Sequence, residues 1–369
     1  MTRRWVKWMP AVAVPAVIAI AVIAVPFQAN AAADLPAKTP DQLLAMIANS
    51  SVRSLSGTIT QTSDLGLPEL PAGAMSTGSG PSGSPSGSTS SDSAAASGLD
   101  LLTGSHTARV YLDGATKARL QVLDSLAERD VIRNGSDVWL YSSSENAVTH
   151  VTLPAGSAGR HTPTPGEVRT PAQLAKELLA KVGPTTAVTV GRPTTVAGRT
   201  AYDLVVSPKG SGSLVKSVSI AVDSTTGLPL SLAVRAQGQK TAAFSVAYTE
   251  LSIGKPDASR FSFVPPAGAT VKQQKLPAVV PGTTAPGTPA QAAPAHTVVG
   301  SGWSSVVELP AGTVPAAATR SPLFSELTTA VTGGRVFSTS LVTVLLTSDG
   351  RVVAGSVPVA RLQDVAAGR

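Results

Sequence analysis

The alternation of apolar and polar positions is clearest between Ser217 and Tyr248. Val218, Ile220 and Val222 alternate with Ser217, Ser219 and Ala221, and Asp223-Ser224-Thr225-Thr226-Gly227 makes a turn. The chain returns as Leu228, Leu230, Leu232 and Val234, and a third run sets Phe244, Val246 and Tyr248 against Ala243, Ser245 and Ala247. Period two over three successive runs predicts antiparallel strands with one buried face, because successive side chains point to opposite sides. The other face is small and polar, suited to water.

Shorter runs of the same kind predict strands over 56–62, 107–112, 117–123, 130–133, 138–141 and 146–153, and again over 187–190, 195–196, 200–206 and 261–263. Asp113-Gly114 and Asn134-Gly135 between such runs are hairpin signals. Alternation alone leaves open whether Val138 and Leu140 or Trp139 and Tyr141 look inward. Two stretches carry the other period. Thr39-Pro40-Asp41-Gln42 precedes Leu43, Leu44, Met46 and Ile47, and Thr170-Pro171-Ala172-Gln173 precedes Leu174, Leu178, Leu179 and Val182. Each offers a threonine cap, a proline suited to the first turn and a glutamine placed for a capping box. Helices this short need an apolar surface to lie on, and the strand face above supplies it. About ten strands with helices inserted among them, and not alternating with them, make an α+β fold.

The pattern lapses in two places. From 73 to 97 the chain is nearly all Ser, Gly, Pro, Thr and Ala, a composition that reads as a disordered insertion between strands. Residues 276–296 are a Pro/Ala/Thr linker. These divide the chain into a main domain over 32–275 and a small C-terminal α/β module over 297–369. In that module a helix is expected over 321–331, stopped by Gly333-Gly334, then strands over 336–347 and 351–357. Some seventy residues make a marginal independent domain, so the module is expected to dock on the first or add strands to it.

Residues 1–31 form a leader. Arg3, Arg4 and Lys7 precede an apolar run from Met9 to Phe27, and Ala29-Asn30-Ala31 follows. This is the layout of an export signal cut after Ala31, and the run is also long enough to serve as an N-terminal anchor. Either way the bulk of the chain is expected to be extracytoplasmic, secreted into a periplasm-like space or tethered to the membrane. Cysteine is absent, which removes disulfides, thiolate metal sites and a cysteine nucleophile. Beyond the leader 26 basic residues stand against 22 acidic ones, a mild excess compatible with a membrane surface. No basic cluster is interleaved with aromatics, so nucleic acid is not an expected partner.

Catalytic patterns are poor. His106, His150, His161 and His296 are isolated in sequence, so no metal and no other cofactor is expected. Gly78-Ser79-Gly80-Pro81-Ser82-Gly83 matches a dinucleotide fingerprint but has no strand before it or helix after it. Ser213-Leu214-Val215-Lys216 matches a serine-lysine motif but precedes a strand and lacks the companion motifs. The chain is not expected to be an enzyme.

Four stretches in one order resemble the LolA-like lipoprotein carriers and their relatives, the RseB/MucB-type regulators. They are Asn134 to Tyr141 (NGSDVWLY), Val196 to Leu204 (VAGRTAYDL), Val222-Asp223 with Thr226 to Leu230 (TGLPL), and Phe261 to Gly268 (FSFVPPAG). The match runs over roughly 39–268. The resemblance implies a strongly curved, unclosed antiparallel β-barrel, lidded by short helices and holding acyl chains. RseB-like members add a smaller C-terminal domain, and the module expected after the linker resembles that arrangement. From pattern alone the apolar positions read as ordinary core. The resemblance makes them lipid-binding: Leu43, Leu44, Ile47, Leu174 and Leu178 on the helices, and Val218, Ile220, Val222, Leu228, Leu230, Leu232, Phe244, Val246 and Tyr248 on the strands. The implied partners are the acyl chains of a lipid or lipoprotein or, for a regulator, a membrane protein of the anti-sigma type.

Overall fold

The computed structural model describes residues 35–66, 104–123, 127–154, 169–275, 296–314, 319–320 and 322–368. The leader, the 73–97 insertion, the 276–295 part of the linker, His161 and the glycine run at 78–83 lie outside the described residues.

Both predicted helices are present with their caps. In α1 (Pro40–Ala48) the Thr39 hydroxyl accepts from the Gln42 N–H (3.3 Å), and the Thr39 N–H donates back to Gln42 Oε1 (2.9 Å). Thr170 and Gln173 repeat the device at α2 (Pro171–Leu179), at 3.3 and 2.8 Å. Two otherwise orphaned donors are satisfied at each start.

Among the described residues thirteen strands form one sheet, more than the ten or so expected. In chain order they are β1 (Ser54–Ser63), β2 (Gly104–Asp113), β3 (Lys117–Leu123), β4 (Glu128–Asn134), β5 (Asp137–Ser142), β6 (Ala147–Thr152), β7 (Thr186–Val190), β8 (Thr194–Val196), β9 (Arg199–Pro208), β10 (Val215–Asp223), β11 (Pro229–Ala236), β12 (Phe244–Ile253) and β13 (Thr270–Lys275). Across the sheet they run β13-β6-β5-β4-β3-β2-β1-β12-β11-β10-β9-β7, with β8 beside β9. The sheet is curved and not closed into a barrel, and the fold is α+β. The pairs are antiparallel except β13 on β6, which is parallel.

That exception has a structural reason. The chain leaves β12 near the middle of the sheet and crosses one face before reaching the rim as β13. Phe261-Ser262-Phe263, expected as a strand, is part of this crossing. Ala258–Phe261 is a 3-10 turn begun by Asp257, whose carboxylate accepts from the Ser259 N–H (2.8 Å). Phe261 is 2% exposed, so the crossing is held down by a large buried side chain.

A second sheet of β14 (Thr297–Val299), β15 (Val306–Leu309), β16 (Thr329–Val331), β17 (Gly334–Ser338), β18 (Thr343–Thr347) and β19 (Val352–Gly355) has the order β14-β15-β19-β18-β17-β16. The expected 321–331 helix is shorter, as α3 (Pro322–Leu327), and its last residues are β16. Gly333-Gly334 does not stop a helix but turns the β16-β17 hairpin, and Gly333 takes φ 90°, which glycine adopts without strain. The expected 336–347 strand is two, β17 and β18, broken by the 339–342 turn in which Thr339 accepts from the Leu341 and Val342 N–H groups. After β19 comes a helix the sequence reading missed, α4 (Val359–Ala366), whose Leu362 and Val365 bury against Val306, Leu345 and Val353.

The second sheet is fastened to the first. The Leu214 N–H donates to the Ser356 carbonyl (2.8 Å), the Ser340 N–H to the Leu65 carbonyl (2.9 Å), and Trp303 Nε1–H to Thr186 Oγ1 (2.9 Å). Leu341 packs with Leu65, Ala236 and Ala243.

Candidate functional site

Residues directly opposite one another across a β-ladder share a face. Ile220 faces Leu232, Leu232 faces Val246, Val246 faces Gln61, and Gln61 faces His106. Leu43 of α1 and Ala175 of α2 pack with Ile220, Leu232 and Val246, so this is the helix face. The two helices lie over β7, β9, β11 and β12.

The fourteen positions read as lipid-binding are brought together here, in two adjoining clusters. Leu43, Val218, Ile220, Val222, Leu228, Leu230, Leu232, Val246 and Tyr248 are buried, while Leu44, Ile47, Leu174, Leu178 and Phe244 are partly buried around them. Beneath the helices these side chains pack on one another. The β10-β11 turn joins this core to α1. Asp223, 1% exposed, accepts from Arg199 Nε–H (2.5 Å), Arg199 Nη2–H (3.1 Å), the Thr225 and Thr226 N–H groups (3.1 and 2.7 Å) and Thr226 Oγ1–H (2.9 Å). Burial would raise this carboxyl, but the bonds from Arg199 and Thr226 outweigh it and hold the group below its ordinary value. At Gly227, φ 71°, a Cβ would strike the Met46 carbonyl, so α1 ends directly on the turn. The alternation read Asp223 as a turn residue; its burial under Arg199 is set by the separate strand β9 and was not legible locally.

The helix face continues beyond the helices. The ladders from β1 to β6 run without a register shift. One rung on this face is Leu55, Leu112, Ala118, Arg133, Val138 and Val151, and the next is Gly57, Val110, Leu120, Val131, Leu140 and Thr149. Gly57 is required because a Cβ would sit 2.9 Å from Tyr248 Cδ1. Leu112, Leu120, Val131, Val138, Leu140 and Val151 are only half-buried. Val138 and Leu140 therefore look toward the helix face, which the sequence left open. Their own strand could not show it, since β5 is amphipathic on neither side; the pairing with Val131 and Arg133 decides it.

Trp139 and Tyr141 look the other way, into a second buried layer. There Ile132 and Val148 are fully buried, and Trp139 stacks on His150 with centroids 3.9 Å apart and planes 8° from parallel. Phe263 lies at 5.6 Å from Trp139 and 5.9 Å from Tyr141. His150 Nε2 is 2.8 Å from Asp137 Oδ1, and Arg119 donates to both oxygens of Asp130 at 2.5 and 3.3 Å. Burial raises the Asp130 carboxyl, opposed by Arg119. His150 is thus a packed structural side chain.

The serine of the serine-lysine match also has structural partners. Ser213 Oγ accepts from the Val215 N–H (3.1 Å) and donates to the Ser356 carbonyl (3.3 Å), so it fastens the second sheet, and Lys216 is exposed. Among the described residues no group of three His, Cys, Asp or Glu side chains could hold a metal ion, and no helix is long and apolar enough to cross a membrane. An open groove of about 330 Å³ on the face opposite the helices is lined by Arg109, Tyr111, Thr58 and Glu250, too polar for a hydrocarbon guest.

No protein-family model matches the chain, and comparison with curated proteins finds no match. Solved structures do show likeness. The Pseudomonas aeruginosa MucA/MucB complex aligns at TM-score 0.41 and 19% identity, over 89% of this chain and 96% of that one. A LolA superfamily protein from Nitrosomonas europaea aligns at 0.24 and 9%, over 62% of this chain and 99% of that one, and an uncharacterized protein from Thermus thermophilus at 0.33 and 11%, over 63% and 98%. The first two belong to the groups that the sequence motifs resemble.

Proposed function

We propose that this protein is an exported, non-enzymatic carrier that holds the acyl chains of a lipid or lipoprotein against the helix face of its large sheet. The observation that carries this reading is the apolar floor of Leu112, Leu120, Val131, Val138, Leu140 and Val151, which extends past the helices and stays half-buried. A folded chain gains by covering such surface, and a hydrocarbon guest would cover it. At about 0.8 kcal/mol per buried methylene a sixteen-carbon chain gains roughly 12 kcal/mol gross. Ordering and association costs offset much of that. The fourteen helix-side positions form the closed end of the same surface, and a longer guest would reach them once α1 and α2 shift.

Native mass spectrometry of the full chain isolated from its own host tests the reading. A co-purifying lipid that Leu140→Asp abolishes supports it; a protein that carries no lipid and takes none up from vesicles overturns it.

A second reading is favoured by the fastening of the second sheet through Trp303, Ser340 and Leu341. That sheet would capture a membrane protein partner, and lipid occupancy would set the affinity. Trp303→Ala should then change partner capture without changing lipid uptake.

A further inference from the structure

An edge strand offers a row of backbone N–H and C=O groups to any extended chain, and folded proteins guard such edges with charge, proline, bulges or brevity. Of the edge strands among the described residues, β8, β14 and β16 are three residues long, and β13 carries Lys272 and Lys275. The remaining edge strand, β7 at the other rim of the large sheet, is Thr186-Ala187-Val188-Thr189-Val190. It has no charge, no proline and no register shift against β9, so it carries none of these guards.

The ladder shows which of its groups face outward. The Lys209 N–H donates to the Thr185 carbonyl (2.9 Å) and the Gly191 N–H to the Asp203 carbonyl (2.8 Å), and hydrogen-bonded residues alternate along an antiparallel pair. Ala187 and Thr189 therefore bond β9, while the N–H and C=O groups of Val188 and Val190 point away from the sheet. Among the described residues nothing bonds these outward groups. The Val188 and Val190 side chains pack with the helix-face cluster, and α1 lies over the strand. At the first residue Trp303 Nε1–H donates to Thr186 Oγ1 (2.9 Å). These neighbours favour a single extended chain along the edge over a second folded sheet.

The charge around the edge has one sign. Lys209 stands at the start of β7 through its bond to Thr185, Lys181 closes α2 just ahead of it, and Arg192 follows Val190 by two residues. All three side chains are exposed, and among the described residues none makes an ion pair or hydrogen bond. Neighbouring acids are engaged elsewhere, Glu177 with Arg169 (2.6 Å) and Asp203 with Ser219 and Arg235. An uncharged edge with cations at both ends fits an extended segment that is apolar at every second residue and carries carboxylates at its ends.

We propose that β7 is a strand-addition site, where such a segment of a partner protein lies antiparallel to β7 and exchanges backbone hydrogen bonds with Val188 and Val190. The site lies at the opposite rim of the sheet from the apolar floor and does not rest on the carrier reading. The probe is a capped synthetic peptide, Glu-Asp-Val-Thr-Val-Thr-Val-Asp-Glu, added to the full chain. Amide exchange at Val188 and Val190, read by NMR, should slow at least tenfold on binding, with Ala187 and Thr189 unchanged because they already bond β9. The peptide N-methylated at its valines, and one with lysines in place of its acids, should each bind at least tenfold more weakly. Val188→Pro removes one outward N–H and leaves the bonds to β9 in place, so it should fold and lose the peptide. The triple variant Lys181→Glu, Arg192→Glu, Lys209→Glu should lose the preference for acidic ends. Unchanged exchange at Val188 and Val190, or equal binding of the N-methylated peptide, overturns the site. Equal binding of the lysine-ended peptide overturns the acidic partner, and self-association of the wild type that Val188→Pro abolishes gives the edge to a second copy and overturns the partner segment. Should Val188→Pro fail to fold, the N-methylated peptide on the wild type decides.

Discussion

The two halves of the large sheet bury opposite faces. Over β9 to β12 the helix face is dry, with Ile220, Val222 and Val246 at 0% exposure under α1 and α2, while the far face is Ser217, Ser219, Ser231, Ala233 and Ser245. Over β4 to β6 the fully buried side chains, Asp130, Ile132 and Val148, lie on the far face, where Phe263 meets Trp139 and Tyr141, and the helix face is half-open. A strand needs one well-buried face to hold its register. Because β4 to β6 obtain theirs on the side of the crossing segment, their other face is released from packing duty and can be apolar without being filled. That difference separates core from candidate site, which a list of apolar positions does not.

The largest effect expected from this comparison comes from placing the same charge on either half. Leu230→Asp sets an unpaired carboxylate at a fully buried position and should prevent stable folding, whereas Leu140→Asp should fold with near-native circular dichroism and lose lipid. Equal destabilisation of the two in urea titrations would erase the distinction between the halves. Next, Asp223→Ala leaves Arg199 and the turn amides without their acceptor and should cost about 3–5 kcal/mol in chemical denaturation. The matching change on the other half, Asp130→Ala, strips Arg119 of its partner and should cost a similar amount without detaching α1.

A smaller effect concerns pH. Burial raises the Asp203 carboxyl to about 6, offset in part by Arg235 and a hydrogen bond from Ser219. A carboxyl raised in the folded state adds stability that is complete below its unfolded value near 3.8 and is lost as pH rises through 6. Unfolding free energy measured by urea titration between pH 4 and 7 should therefore fall more steeply for the wild type than for Asp203→Asn, by at most about 3 kcal/mol in all. Parallel curves would show that Asp203 does not carry the dependence. The smallest effect is Thr170→Ala, which removes the cap of α2 and should cost about 1 kcal/mol.

Much of the architecture was legible where one strand or one helix start carries its own signal. Both capping boxes, the β10-β11 hairpin and the strands about Asn134-Gly135 follow from local chemistry. What was hidden depended on partners distant in sequence. The direction of Val138 and Leu140 is fixed by β4, and the parallel seating of β13 by the crossing segment. Burial of Asp223 is fixed by Arg199. In the C-terminal module Gly333-Gly334 is as good a hairpin turn as a helix stop, and α4 begins after Pro358 without a side-chain cap, so neither announced itself.

The stretch from Gly254 to Ala269 reaches from mid-sheet to rim like a girth strap, pinned by Phe261 along its course and by Arg260 set over the Tyr111 ring at 5.2 Å. Its contour length limits how far β13 can lie from β12, so on the carrier reading the span open to a guest would be set by a loop on the opposite face. Lengthening that strap would then widen the floor without altering any residue on it.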